Sequence, residues 1–290
     1  MSIAASAPHK QAPFSKIVSA VASARTQLRA GASLNSVIRP ALLNVPLESR
    51  PAAQALIYES VRRCARTTAL VGLLCSRQPS AEVLSVLETA FAAFSLGRLA
   101  VFTVVSETVT AAKANPQTRA ASGFINAVLR RYLREKDELE KKIASRDEVR
   151  FNAPAWWIGR IRTIYPKDAD RILELGTRHP PMTLRVNVRL MTVEDYLDRL
   201  KAAGLEARRV GPEAIELVTP VPVDRIPGFA DGLSSVQDAG TQLAAHLLPV
   251  KAGDRVLDAC SAPGGKTAHI LERADCAMTA LETDPARAVK

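Results

Sequence analysis

The residues of this chain best placed to hold a small molecule run from Asp258 to Thr267, in the order Asp-Ala-Cys-Ser-Ala-Pro-Gly-Gly-Lys-Thr. Gly264 and Gly265 let the backbone turn sharply and come close to a ligand. A helix that starts there turns its free amides toward an electron-rich group. Glu282 follows at close to the separation, about 20 residues past such a loop, at which an acidic side chain meets a ribose. A carboxylate in that place can accept hydrogen bonds from both ribose hydroxyls. The chemistry on offer is recognition of an adenosine-type ligand.

The elements around the loop fit that use. Arg255–Asp258 has the short apolar character of a buried parallel strand, and Ala268–Glu272 continues as a helix. The loop therefore lies at the carboxyl end of a strand, where open α/β sheets bind ligands. A second strand, Met278–Leu281, ends at Glu282, and Asp284-Pro285 reads as the cap and first position of another helix. Together they make one βαβ unit. Two other readings compete. Gly265-Lys266-Thr267 matches the tail of the phosphate-loop pattern Gly-x-x-x-x-Gly-Lys-Thr, but Cys260 stands where the leading glycine belongs and Pro263 interrupts the loop. A structural Gly-Gly turn without a ligand is the other, and it leaves the coincidence of strand, Asp258, helix and Glu282 unexplained.

The block DACSAPGGKT, with VQDAGTQLAAHLL before it and ALETD after it, resembles the S-adenosylmethionine motifs of bacterial RNA cytosine-C5 methyltransferases. Among these it is most similar to the 16S ribosomal RNA enzymes of the RsmB (Sun) family. The resemblance runs through most of the chain, with Ser261 where alanine is usual and Glu282 where aspartate is usual. It implies S-adenosyl-L-methionine as cofactor, held by Cys260, Ser261, Ala262, Pro263, Gly264, Gly265, Lys266 and Glu282, and 16S ribosomal RNA as substrate. It also implies a cysteine thiolate that adds to C6 of the cytosine, so that C5 becomes nucleophilic enough to take the methyl group. In the family that cysteine follows a threonine and a second one follows a proline; this chain contains neither dipeptide. Cys260 lies inside the cofactor loop, Cys64 and Cys75 sit on helical patterns as buried apolar residues, and Cys276 has no visible activating partner. No catalytic residue is assigned.

Composition bounds the rest. With 47% hydrophobic residues the chain can bury real cores. The formal charge is +10, and the surplus is confined to one half: residues 1–150 hold 21 basic and 11 acidic residues, residues 151–290 hold 18 of each. A basic half joined to a neutral half points to a polyanion partner for the first; no long apolar run points to a membrane. Four widely spaced cysteines give neither a metal-ligand pattern nor a disulfide framework and fit a reducing cytoplasm. A monomer is the simplest expectation.

Residues 1–13, rich in Ala, Ser and Pro, read as a disordered lead-in without a targeting signal. Residues 14–147 read as an all-α bundle, with helices expected at Phe14 to Gly31, Ala52 to Cys75, Ala81 to Phe94, Val101 to Lys113 and from Ser122 onward. The helix Ser122 to Arg131 is similar to one in the NusB-like RNA-binding domain that opens RsmB-family enzymes. On it and just beyond, Arg130, Arg131 and Arg134 are candidates for phosphate contacts, with a solvated helix face as the alternative.

Residues 148–232 read as an α+β connecting subdomain, with strands at Thr183–Asn187 and Ala214–Val218 and a helix at Val193–Ala203. Trp156 and Trp157 are expected to be a packing anchor, with base stacking as the alternative. Residues 233–290 read as the N-terminal part of a Rossmann-like methyltransferase domain. Two strands and one crossover helix cannot complete an α/β core, so this stretch is expected to be weakly stabilised and the sequence to be a fragment. A non-catalytic NusB-like RNA-binding protein or inactive fragment is the competing function, and a nucleotide-binding ATPase a remote third.

Overall fold

The computed structural model describes residues 13–178 and 180–289. The lead-in expected over residues 1–13 lies outside them, apart from Pro13. The chain divides at Arg178 into two compact units.

The first unit is wholly helical among the described residues: α1 (Phe14–Arg29), α2 (Leu34–Leu43), α3 (Arg50–Arg62), α4 (Cys64–Leu74), α5 (Ala81–Leu96), α6 (Val101–Ala114), α7 (Pro116–Arg119), α8 (Ser122–Arg134), α9 (Lys136–Ala144), α10 (Asp147–Phe151), α11 (Ala155–Ile164) and α12 (Ala169–Leu175). Helix α5 is apolar on nearly every side and is buried from Val83 to Ala93, as a helix without a polar face must be. The Ser80 side chain accepts from the Val83 amide at its start, and Gly97 ends it in the left-handed conformation. Leu87 and Phe91 of α5 pack with Leu56 and Ile57 of α3 and Ile125 and Leu129 of α8 in one core. Tyr132 stands edge-on to Phe91 at 4.9 Å, and its hydroxyl donates to Glu140 at 2.9 Å. Burial, the largest influence on that phenol, pushes its pKa up to about 12.

One ion pair lies inside this core. Glu88 of α5 is completely buried; Arg25 donates to it at 2.9 Å, Thr68 at 3.2 Å, and Arg29 also pairs with it. Arg25 additionally donates to Cys64 Sγ at 3.3 Å, so Cys64 is half-buried beside a guanidinium instead of being a plain core residue. Cys75 is likewise half-buried.

The single helix expected over Ala52–Cys75 is broken at Arg63. The cause lies far along the chain. Asn152, at φ +46°, donates from Nδ2 to the Val61 carbonyl and accepts from the Ala65 amide, satisfying backbone groups on both sides of the break. A cap supplied from that distance leaves no local signal. Trp156 and Trp157 also depart from expectation: they are 69% and 43% exposed and stand edge-to-face with each other. The buried side of α11 is set instead by Ile158 and Ile161, which join Phe151, Ala169 and Leu173 in a small satellite core.

The second unit begins with a four-stranded antiparallel sheet in the order β2-β3-β1-β4, where β1 is Met182–Val186, β2 Ala207–Arg209, β3 Ala214–Leu217 and β4 Ser234–Val236. Leu184 and Val186 pack with Ile215, Leu217 and the Val193, Tyr196 and Leu200 stripe of α13 (Val193–Ala202). Thr183 and Arg185, one residue out of phase, therefore face the other side. The longer strands and α13 fall where alternation and periodicity put them. The short β2 and β4 were not readable, because three residues carry too little pattern. The rest is α14 (Ala239–Leu247), β5 (Arg255–Asp258), α15 (Gly265–Arg273), β6 (Ala277–Ala280) and α16 (Pro285–Ala288). β5 and β6 pair in parallel, Arg255 with Ala277 through Asp258 with Ala280. β5 is half-buried, not fully buried as expected: Val256 and Asp258 turn inward while Leu257 is 59% exposed, the alternation of a sheet covered on one face.

Candidate functional site

The loop Ala259–Gly264 joins the carboxyl end of β5 to the start of α15. Asp258 organises it from below, accepting from the Cys260 amide at 3.2 Å and from Thr267 Oγ1 at 2.6 Å. Gly264 is the N-cap residue at φ +97° and offers no side chain to the helix end. The amides of Gly265, Lys266 and Thr267 consequently take no hydrogen-bond partner among the described residues. They form the positive end of the α15 dipole.

The loop is tied to the end of β6. Ser261 donates to the Leu281 carbonyl from its amide at 2.9 Å and from Oγ at 3.1 Å. The Ala262 amide donates to Glu282 Oε2 at 3.3 Å, the Asp284 amide to Glu282 Oε1 at 3.0 Å, and Arg287 to the Ala262 carbonyl at 2.7 Å. The Asp284 amide, followed by the nearby Arg287 and the Ala262 amide, holds the Glu282 carboxyl below the usual carboxylate range. Glu282 is thus an ionised acceptor, its side chain only 4% exposed, with Thr283 Oγ1 at 3.4 Å and Arg287 at 3.8 Å also near its oxygens. The structure brings Ser261, Ala262, Gly264, Gly265 and Glu282 together. Pro263 follows a cis peptide bond and is exposed, and the side chains of Cys260 and Lys266 project into solvent.

Of the three arginines read as phosphate contacts, Arg130 and Arg134 lie exposed four residues apart on one face of α8. Arg131 is committed to Glu135 at 3.0 Å and to the Leu74 carbonyl at 3.3 Å.

Two clusters were not found from sequence. In the first, Arg185 of β1 donates from Nε and Nη2 to Glu272 at 2.9 and 2.6 Å, and from Nη1 to the Gly265 carbonyl at 2.6 Å and to Gln237 Oε1 at 2.5 Å. In the second, Glu213 accepts from His269 and, at 2.6 Å, from Arg273, with His246 Nε2 at 3.3 Å. The carboxylate and the two imidazoles lie close enough to serve as metal ligands. Arg273, at 3.5 Å from His246 Nε2, already supplies the cluster's positive charge.

Burial is the main influence holding the His269 imidazole below its ordinary value. Glu213 is also lowered, because the His269 hydrogen bond and Arg273 together outweigh the upward pull of burial. Both groups bind protons more weakly folded than unfolded, so stability rises with pH where each titrates in the unfolded chain. The second unit is expected to lose stability as pH falls through about 6.5 and further through about 4.5. Hydrogen-exchange protection of α15 amides, measured at pH 7.5 and pH 5.5 and corrected for intrinsic rates, should be lower at the acid pH. Equal protection would rule this out.

Fold and loop define a class: a helical NusB-type domain, a small ferredoxin-like α/β domain and the start of a methyltransferase domain. Family models match in the same order: NusB family over residues 14–134, "Methyltr_RsmF/B-like, ferredoxin-like domain" over 153–224, and "16S rRNA methyltransferase RsmB/F" over 245–290. The chain belongs to the RsmB family. It is 35% identical over 265 residues to ribosomal RNA small subunit methyltransferase B of Salmonella dublin, covering 89% of this chain and 61% of that protein. The protein of the same name from Pseudomonas syringae pv. tomato is 37% identical over 246 residues, 83% of this chain and 55% of its own length. The chain thus spans about three fifths of the curated relatives it matches. The crystal structure of PH0851 superposes with a TM-score of 0.68 at 19% identity, over 98% of this chain and 66% of that one, a likeness of fold.

Proposed function

We propose that this chain is the RNA-binding, connecting and cofactor-loop portion of an S-adenosylmethionine-dependent methyltransferase acting on cytosine C5 of 16S ribosomal RNA in the cytoplasm. The observation that carries the reading is the pairing of partnerless α15 amides with the ionised Glu282 at the ends of adjacent parallel strands. The donor set fits the cofactor. The amides suit the carboxylate of its methionine part, Glu282 suits the ribose hydroxyls, and Gly264 keeps side-chain bulk out of the approach. When bound, S-adenosylmethionine supplies a methyl group made electrophilic by its sulfonium. Asp258 and Thr267 fix the loop, and Ser261 fixes it against β6.

The thiolate that would add to cytosine C6 is none of this chain's cysteines. Cys64 lies against Arg25 in the helical unit, and burial pushes the Cys75 thiol up, away from the reactive thiolate. Cys260 belongs to the loop itself, and Cys276 is half-buried ahead of β6. The test has two arms. The chain should bind S-adenosylmethionine in calorimetric titration, and the full-length protein should transfer labelled methyl to cytosine C5 of 16S RNA. Absence of transfer by the full-length protein overturns the reading.

The helical unit is read as the RNA holder through Arg130 and Arg134. Changing both to alanine should weaken RNA binding and flatten the slope of log K against log salt by roughly 0.7–0.9 per lost phosphate contact. Arg131→Ala should do less, since that guanidinium is already engaged. Unchanged slopes in the double variant would move the RNA surface elsewhere.

A further inference from the structure

We propose that Arg185 is a positioning residue for the cofactor loop, holding the first turn of α15 in place from the ferredoxin-like sheet. The inference rests on the cofactor reading above for its functional meaning, and on four features of the structure for its physical content.

The first is cost. Arg185 is 1% exposed, in a central strand with Ala214 opposite it on β3 and Ser235 on β4. A charge taken out of water is expensive, and an apolar side chain of similar size in its place is often neutral or stabilising. A guanidinium kept there is better explained by what its donors fix in space than by stability.

The second is how those donors are spent. Nε and Nη2 make a fork onto the Glu272 carboxylate, while Nη1 serves the Gly265 carbonyl and Gln237 Oε1. Gly265 and Glu272 are both on α15, seven residues or about 10.5 Å apart along the axis and on the same face. A helical side chain leans toward the N-terminus, and a helical carbonyl points the other way, so the carboxylate and the carbonyl approach each other. The planar guanidinium spans the gap that remains. A lysine, with one nitrogen, cannot do so.

The third is the place of the grip. Gly265 is the first residue of α15 and follows directly on Gly264, so its carbonyl is a fixed point for the amides proposed to face the cofactor. Gln237, the other acceptor, precedes the N-cap of α14 and stands 3.9 Å from where a Gly265 side chain would begin. The fourth is a second grip at the far end. Arg189, just beyond β1, donates to the Glu272 carbonyl at 3.2 Å, where the negative end of the helix dipole favours a cation. The sheet thus holds α15 at both ends.

The test compares wild type with Arg185→Lys and with the double variant Arg185→Met/Glu272→Met, which leaves no unpaired buried charge. Hydrogen exchange reads the loop without any ligand. In a folded double variant, protection of the Ser261 and Gly264 amides should fall at least tenfold while β1 and β3 amides hold theirs. Affinity for S-adenosylmethionine should fall at least tenfold in parallel, with Arg185→Lys showing partial losses of both. Loop protection equal to wild type in the folded double variant overturns the proposal. If the double variant does not fold, Arg185→Lys decides: unchanged loop protection there overturns it equally. Failure of the wild type to bind S-adenosylmethionine sinks the cofactor reading alone, because the exchange comparison still settles whether Arg185 positions the loop.

Discussion

Gly264→Val is expected to weaken S-adenosylmethionine binding by this chain roughly 5- to 150-fold. Gly264 sits at φ +97°, ψ 0°, where a β-branched residue is a genuine outlier, and no atom lies within 4 Å of where its Cβ would stand. The penalty is therefore one of backbone conformation and not of crowding. Holding a non-glycine residue in so sparsely populated a region costs about 1–3 kcal/mol, and each 1.4 kcal/mol is tenfold in affinity. Valine relieves that strain by moving the loop, which breaks the bond from the Gly264 amide to the Ser261 carbonyl and turns the α15 amides off target. Gly264→Asn is the informative companion, since asparagine tolerates left-handed backbone better, and it should keep most of the affinity. Calorimetric titration of both variants checks this; equal binding by the valine variant would remove the loop from the cofactor site.

The second large effect concerns the helical unit. Glu88→Ala removes the carboxylate that faces Arg25 and leaves a guanidinium buried with only Cys64 Sγ as a partner. Arg29, being partly exposed, can turn to water; Arg25 cannot. Breaking a buried pair from one side costs about 3–5 kcal/mol. At roughly 2–4 °C per kcal/mol for a domain of this size, the melting temperature of the helical unit should drop by a clearly measurable amount. The double variant Arg25→Met/Glu88→Leu should recover most of it, since two apolar side chains replace a satisfied pair without leaving either charge behind. A melting temperature for Glu88→Ala within a degree of wild type would mean that Arg25 finds solvent after all.

Much of this was legible in the sequence wherever the determinant is local. The helical periodicity of α5 and α8, the alternation of β1 and β3, and the glycine pair beside Lys266 each mark their element within a few residues. The loop from Ala259 to Gly264 is the strongest case, because strand, turn, helix and Glu282 signal one another over a short span. What escaped depends on residues distant in sequence. The break between α3 and α4 is stabilised by Asn152, and the fixed position of α15 by Arg185. An arginine in an apolar strand reads as an oddity until its partners on another element are known. Glu213 and His246 were invisible for the same reason, and the i,i+4 pair His269 and Arg273 on α15 gave no sign of the carboxylate that joins them from 56 residues away. The exposure of Trp156 and Trp157 was missed because residue type alone favours burial for tryptophan, whereas Ile158 and Ile161 decide which side of α11 faces inward.

The two tryptophans have a practical consequence. They are the only ones in the chain, adjacent and open to solvent on a single helix. Intrinsic emission from this protein therefore starts from a wet, red-shifted state and is easily quenched by small solutes. It will shift to the blue when something settles over α11 and stay nearly silent when a core melts elsewhere. Unfolding of the helical unit is better followed by circular dichroism, which leaves tryptophan light free to report on what touches that one helix.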